Sequence, residues 1–131
     1  MKIIPPAEAA GTAGKQGSQF TGVAYPYLTM PSTDGVVINT VNFTPGARTH
    51  WHTHESGQIL QVLAGRGLIQ SEGEPVHVIR AGDTVWIPGG ETHWHGADAD
   101  SFMTHTAISL GATEWADAVS ESEYTSTNRQ D

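Results

Sequence analysis

The stretch from residue 46 to residue 65, GARTHWHTHESGQILQVLAG, decides the fold of this chain. It places one residue between His52 and His54 and three between His54 and Gln58, all between Gly46 and Gly65. A second stretch, AGDTVWIPGGETHWHGA over 81–97, runs from Gly82 through Pro88 and Gly90 to His93. Strand side chains alternate faces, so His52 and His54 point the same way and Gln58 stays in phase with them. A hairpin partner brings His93 across. Four neutral nitrogen and oxygen ligands on stiff strands then converge on one cation. The glycines and Pro88 mark the reversals between strands. The two strings together predict a mononuclear metal site inside a small β-barrel.

Outward from these strings the pattern stays β. FTGVAYPYLTM (20–30) reads as an opening strand broken at Pro26. VVINTVNF (36–43) alternates, its row Val37, Asn39, Val41, Phe43 facing inward with Asn39 beside the site. QILQVLAG (58–65) is apolar on both faces, as for a strand covered on both sides. A hairpin turns at Glu72–Gly73–Glu74, Asp83 is a turn-stabilising acceptor, and SFMTHTAISL (101–110) is a late strand. After Gly111, Thr113 is expected to cap a short helix through Trp115 and Val119, and Ser120 to cap another turn. TSTNRQD at the end reads as frayed. Residues 1–17 form an extended arm, and 18–131 a single domain.

Four further histidines need separate treatment. His95 is in phase with His93, and His105 lies in the row Met103, His105, Ala107, Ser109. Each is a candidate general acid or base. Each is also a candidate structural histidine. His50 is a rim residue and His77 a surface one. Trp51, Trp86 and Trp94 read as core or interface packing. Arg48 either binds an anionic substrate group or forms a solvated or intersubunit salt bridge.

On these two strings the chain resembles the single-domain cupins, which implies an all-β jelly-roll barrel (a double-stranded β-helix), here with an amino-terminal arm and a short carboxy-terminal helix. It departs from that pattern twice. Gln58 stands where the first motif usually has a glutamate, and Ala97 where an asparagine usually closes the second. FTG near Phe20, FTPGARTHWHTHESGQ, GDTVWIPGGETHWHG, MTHTAI and TEWADAVSESEY resemble more narrowly the small bacterial cupins that act as manganese-dependent hydroxynitrile lyases. This resemblance implies manganese on His52, His54, Gln58 and His93, with His105 as base and His95 as its helper. The residues alone admit Mn, Fe, Co, Ni, Zn or Cu. An amide ligand in place of a carboxylate leaves a full dipositive centre, a stronger Lewis acid that is harder to oxidise.

Bulk composition bounds the partners. Six basic against 14 acidic residues give a net charge of −8, which argues against nucleic acid or an anionic membrane. There is no cysteine, hence no disulfide or thiolate ligand. The first residues lack a continuous apolar run, so a cytoplasmic protein is expected. A small-molecule substrate and a homodimer or homotetramer complete the expectation. Three other functions share the scaffold: a metal-dependent dioxygenase, an isomerase of a sugar-like substrate, and a small-ligand-binding barrel.

Overall fold

The computed structural model describes residues 1–6, 17–126, 129 and 130. Two antiparallel sheets face each other. The first has the order β2 (Ala24–Thr33), β3 (Val36–Phe43), β10 (Met103–Leu110), β6 (Gly57–Ser71) and β8 (Thr84–Ile87). The second runs β1 (Phe20–Thr21), β4 (Arg48–Thr49), β9 (His93–Ala97), β6 again and β7 (Val76–Arg80). β5 (His52–His54) pairs with β9 and with β11 (Thr113–Trp115). The long β6 belongs to both sheets and changes sheet at its middle. Gly65 sits there at φ 78°, where an added Cβ would collide with the Phe102 carbonyl, so the bend needs a glycine. An all-β barrel of jelly-roll type is the result.

Alternation buries one face of each strand between the sheets. Val41, Phe43, Leu60, Val62, Met103 and Ala107 form the interior, with Ile69, Ile79 and Ile87 from the far end. A second cluster lies outside the second sheet, where Trp94 packs with Leu68, Val76, Val119 and Tyr124. The carboxy-terminal segment covers that face. Its helix α1 (Glu121–Tyr124) starts at Ser120 in a full capping box with Glu123, as the sequence predicts for Ser120.

Several expectations change. Pro26 does not break its strand, because β2 lies at the edge of its sheet, where a missing N–H costs no ladder bond. Thr113 caps no helix. Residues 113–115 pair with β5 instead, because Thr113 Oγ1 lies 2.9 Å from His54 Nδ1 and the ladder Thr113–His54 to Trp115–His52 holds the segment extended. Within the terminal residues, Arg129–Gln130 forms β12, parallel to β7. β6 is covered on one face only over 58–64, with Leu63 55% exposed. Most of the expected arm, residues 7–16, lies outside the described residues. Among those described, no helix is long and apolar enough to cross a membrane.

Candidate metal centre

Strand register assembles the site. His52 is the direct cross-strand partner of His93, so β5 and β9 bring their rings to 4.3 Å between centroids. His54 follows on β5 at 5.0 Å from His52, and His95 follows on β9 at 5.7 Å from His93. Gln58 enters from β6, opposite Ser109 of β10. All four side chains read as ligands from the sequence are buried, with the His54 and His93 ring centroids 5.5 Å apart and Gln58 Oε1 3.0 Å from His93 Nε2. One group of three potential ligand side chains among the described residues, His52, His93 and His95, has its ligand atoms all within 4.8 Å of one another. That group shares His52 and His93 with the set read from spacing but holds His95 in place of His54.

Hydrogen bonding tests whether a cation fits. His52 Nδ1 lies 2.8 Å from the His50 carbonyl, and His93 Nδ1 lies 2.9 Å from the Glu91 carbonyl. A carbonyl only accepts, so both rings carry their hydrogen on Nδ1 and turn a bare Nε2 lone pair inward. Gln58 Nε2 donates to Ser109 Oγ at 3.1 Å, which turns Gln58 Oε1 toward His93 Nε2 at 3.0 Å. Two acceptors facing each other at that distance need a cation between them. A proton is a poor choice, because burial lowers the pKa of His93. His54 Nε2 is buried and has no partner in the protein. The donor set therefore fits a divalent metal.

His95 and His105 are bound to each other. His105 Nε2 lies 2.9 Å from His95 Nδ1. The two outer nitrogens of the pair, His95 Nε2 and His105 Nδ1, are buried without a protein partner. Burial lowers the pKa of both rings, that of His105 to about 4, and neighbouring imidazoles push His95 down further. His52 also falls well below the ordinary value through burial and then His93, and His54 drops to about 4. The whole cluster is neutral at pH 7.

The rings of His52, His54, His95 and His105 line a cavity of about 230 Å³ with Asn39, Thr49, Ser109, Thr113, Phe20, Phe43 and Trp115. No Asp, Glu, Lys or Arg lines it. Its volume lies below that of drug-sized pockets, which suits a small neutral molecule. Asn39 faces the cavity as its strand phase predicts.

Sequence reasoning placed some residues elsewhere. Arg48 is buried, turned away from the cavity, and holds the carboxy-terminal segment. Its guanidinium donates to the Val119 carbonyl at 3.1 Å, pairs with Glu121 at 2.9 Å and lies 4.2 Å over the Tyr124 ring. Trp94 is core, whereas Trp86 is 56% exposed. His77 is exposed and His50 half-buried. Asp83 accepts from the Arg80 N–H at 2.8 Å, closing its turn. Three residues went unnoticed as parts of the site. Ser109 holds the Gln58 amide, Thr113 holds His54, and Trp115 lies 4.6 Å from the His52 ring at the cavity mouth. Ser109 was legible in principle, being in phase with His105 on one strand.

A family described as the cupin domain matches residues 39–108, the span that carries His52, His54, Gln58, His93, His95 and His105. This chain belongs to the cupins. Among characterised proteins, this cupin is 44% identical over 111 residues to an (R)-mandelonitrile lyase of Granulicella tundricola, covering 80% of this chain and 85% of the relative. Among solved structures it is similar to a cupin-like protein of Thermotoga maritima, with 40% identity, a TM-score of 0.81, and coverage of 86% of this chain and 91% of that one. A polyketide cyclase of Streptomyces resistomycificus shares the fold at 18% identity and a TM-score of 0.71, over 95% of this cupin and 90% of that chain.

Proposed function

We propose that this cupin is a metal-dependent hydroxynitrile lyase, cleaving a small cyanohydrin to an aldehyde and cyanide or running the reverse. The observation that carries the reading is the His95–His105 pair, which lines a cavity without charged residues together with His52 and His54. The 44% identity to an (R)-mandelonitrile lyase supports the same chemistry.

His52, His54, Gln58 and His93 hold the metal, with manganese the one that the resemblance implies. A divalent ion held there supplies Lewis acidity toward a hydroxyl oxygen. The protein residues do the rest. The histidine pair accepts the hydroxyl proton, with His105 as base and His95 beside it. The bond between the carbinol carbon and the nitrile carbon then breaks, and its electron pair leaves with cyanide as the carbonyl forms. The proton returns from the pair to cyanide, releasing hydrogen cyanide. Burial lowers both imidazole pKa values, so the pair is unprotonated at neutral pH. Phe20, Phe43 and Trp115 provide apolar walls for the organic group.

The test is elemental analysis of the purified protein, with mandelonitrile cleavage assayed on the same sample under air and under nitrogen. Near-stoichiometric metal with oxygen-independent benzaldehyde release is expected. A redox metal with no cleavage, and dioxygen consumed on an aromatic or enol substrate, would move the site to oxygenase chemistry. Absence of any metal would overturn the assignment of His52, His54, Gln58 and His93.

A further inference from the structure

β3 carries two asparagines on opposite faces. Asn42 points outward, and its Oδ1 accepts from Thr104 Oγ1 at 2.7 Å. Asn39 lines the cavity, and its side chain makes no hydrogen bond to any described residue. The polar side chains around it are engaged with the protein. His54 meets Thr113, Ser109 holds Gln58, and His95 meets His105. Thr49 Oγ1 accepts from the His95 N–H at 3.2 Å. Asparagine is disfavoured within strands, and an amide turned into an apolar-walled cavity without a partner costs stability that a bound acceptor would offset.

Register fixes where that amide stands. Asn39 pairs with Ala107 on β10, and Ala107 pairs with Leu60 on β6. The next row on one side is Val41, His105 and Val62. The next row on the other side is Val37, Ser109 and Gln58. Asn39 therefore stands between the row of the proposed base and the row of the amide ligand. Diagonal neighbours on a sheet face are about 7–8 Å apart, which leaves room for a small molecule among them. Ala107 also lines the cavity, and its single methyl group keeps the space in front of Asn39 open.

We propose that the Asn39 amide donates to the nitrile nitrogen of the cyanohydrin and holds the cyanide as it leaves. The inference rests on the lyase reading and adds the residue that recognises the nitrile. A cyanohydrin offers three groups to the cavity walls. The hydroxyl goes to the histidine pair, and the organic group to Phe20, Phe43 and Trp115. The nitrile is left for Asn39. Its nitrogen only accepts, and the amide N–H₂ is a donor. When the bond between the carbinol and nitrile carbons breaks, its electron pair becomes the charge of cyanide, which the nitrogen shares. A hydrogen bond to that nitrogen is therefore stronger in the transition state than in the bound cyanohydrin. The amide gives up no proton. The proton returns from the histidine pair to the carbon end of cyanide, which a donor at the nitrogen end leaves free.

The test is the synthesis direction, run with the metal-loaded full chain, where cyanide and benzaldehyde have separate KM values. Asn39→Leu keeps the size of the side chain and removes the donor. Asn39→Ala removes the amide outright at a half-buried position, and carries the test even where Asn39→Leu fails to fold. In each variant the KM for cyanide is expected to rise, and kcat/KM for mandelonitrile cleavage to fall, by about 10- to 100-fold. The KM for benzaldehyde, metal content and circular dichroism are expected to stay as in the wild type. A second readout is inhibition by the propargylic alcohol in which an alkyne replaces the nitrile of mandelonitrile. It has the same shape and no nitrogen lone pair, so its Ki is expected to be the same in all three proteins. Losses that fall on benzaldehyde or the alkyne as heavily as on cyanide would mean that Asn39 only shapes the cavity, and would overturn the inference. Unchanged kinetics in both variants would overturn it too. Either result leaves the lyase reading standing. A wild-type chain that neither makes nor cleaves mandelonitrile removes that reading and this inference with it.

Discussion

The histidines of the cavity fall into two groups that are held differently. His52 and His93 each give one ring nitrogen to a main-chain carbonyl, at 2.8 and 2.9 Å. His95 and His105 give theirs to each other, at 2.9 Å. A carbonyl accepts and never donates, so the first pair has its tautomer fixed and its lone pairs aimed at one point. A bond between two imidazoles has two arrangements, with the shared hydrogen on either ring. The second pair can thus pass a proton along itself while staying neutral overall. One cluster of like residues turns bare lone pairs inward on one side, as a cation site would need, and is able to move a proton on the other. The division comes from what each Nδ1 or Nε2 touches, not from burial, which is near complete for all four.

The strongest way to break this comparison is to remove one member of each group. His93→Ala is expected to weaken metal binding by at least about a hundredfold, since even residues that only orient a ligand cost tenfold to a hundredfold. His105→Ala is expected to keep its metal within about twofold while cleavage of mandelonitrile falls about 10²–10⁴-fold. Metal content by mass spectrometry and turnover, measured on both variants, separate the two roles. Equal loss of metal in both would erase the division.

Acid sharpens the comparison. Burial keeps these rings neutral in the folded protein, with His54 and His105 at about 4, whereas in the unfolded chain they take up protons near the ordinary 6.5. The unfolded state therefore binds more protons as pH falls, and stability drops between about 6.5 and 4. Below about 4 the folded rings titrate too and the loss levels off. For fully buried His105 alone the window is worth about 3 kcal/mol. Urea unfolding of metal-free protein across this range is expected to show that decline. Metal occupies the Nε2 lone pairs and competes with protons there, so the loaded protein is expected to hold its stability to lower pH. Stability that stays flat with pH in the metal-free protein would mean the rings are charged when folded.

The barrel was legible because strand alternation and turn glycines are local. His52, His54 and Gln58 share a phase on a single stretch, and His93 follows a recognisable turn. The misreadings share a different origin. Pro26 and residues 113–115 depended on which neighbours a strand acquires, and that is set by the register of chain segments far apart in sequence. Thr113 looked like a helix cap because threonine satisfies N–H groups at helix starts. In the fold its hydroxyl meets His54 instead, 59 residues away in sequence. Arg48 read as a substrate-binding cation or as one arm of a solvated or intersubunit salt bridge, whereas the returning carboxy-terminal segment buries it and pairs it with Glu121 of the same chain. Apolar residues on both faces of 58–64 were legible, but the fold covers only the face that carries Gln58, Leu60 and Val62.

Ser109 shows how such long-range partners act on the site, and it carries the smallest predicted effect. Its Oγ accepts from Gln58 Nε2, and this decides which end of the amide faces His93. With the hydroxyl removed, the amide gains freedom to turn its N–H₂ toward the ligand point, where it would repel a cation. Ser109→Ala is expected to weaken metal affinity about tenfold, at the low end for a residue that orients a ligand, and Ser109→Thr to restore most of it. Titration with the metal, read by competition with a chelator, measures this without any assay of turnover. Gln58→Glu provides the contrast, because a carboxylate offers oxygen on either side and needs no such orientation. In that background Ser109→Ala is expected to leave affinity unchanged. If it costs as much there as in the wild type, Ser109 supports the strand and not the amide.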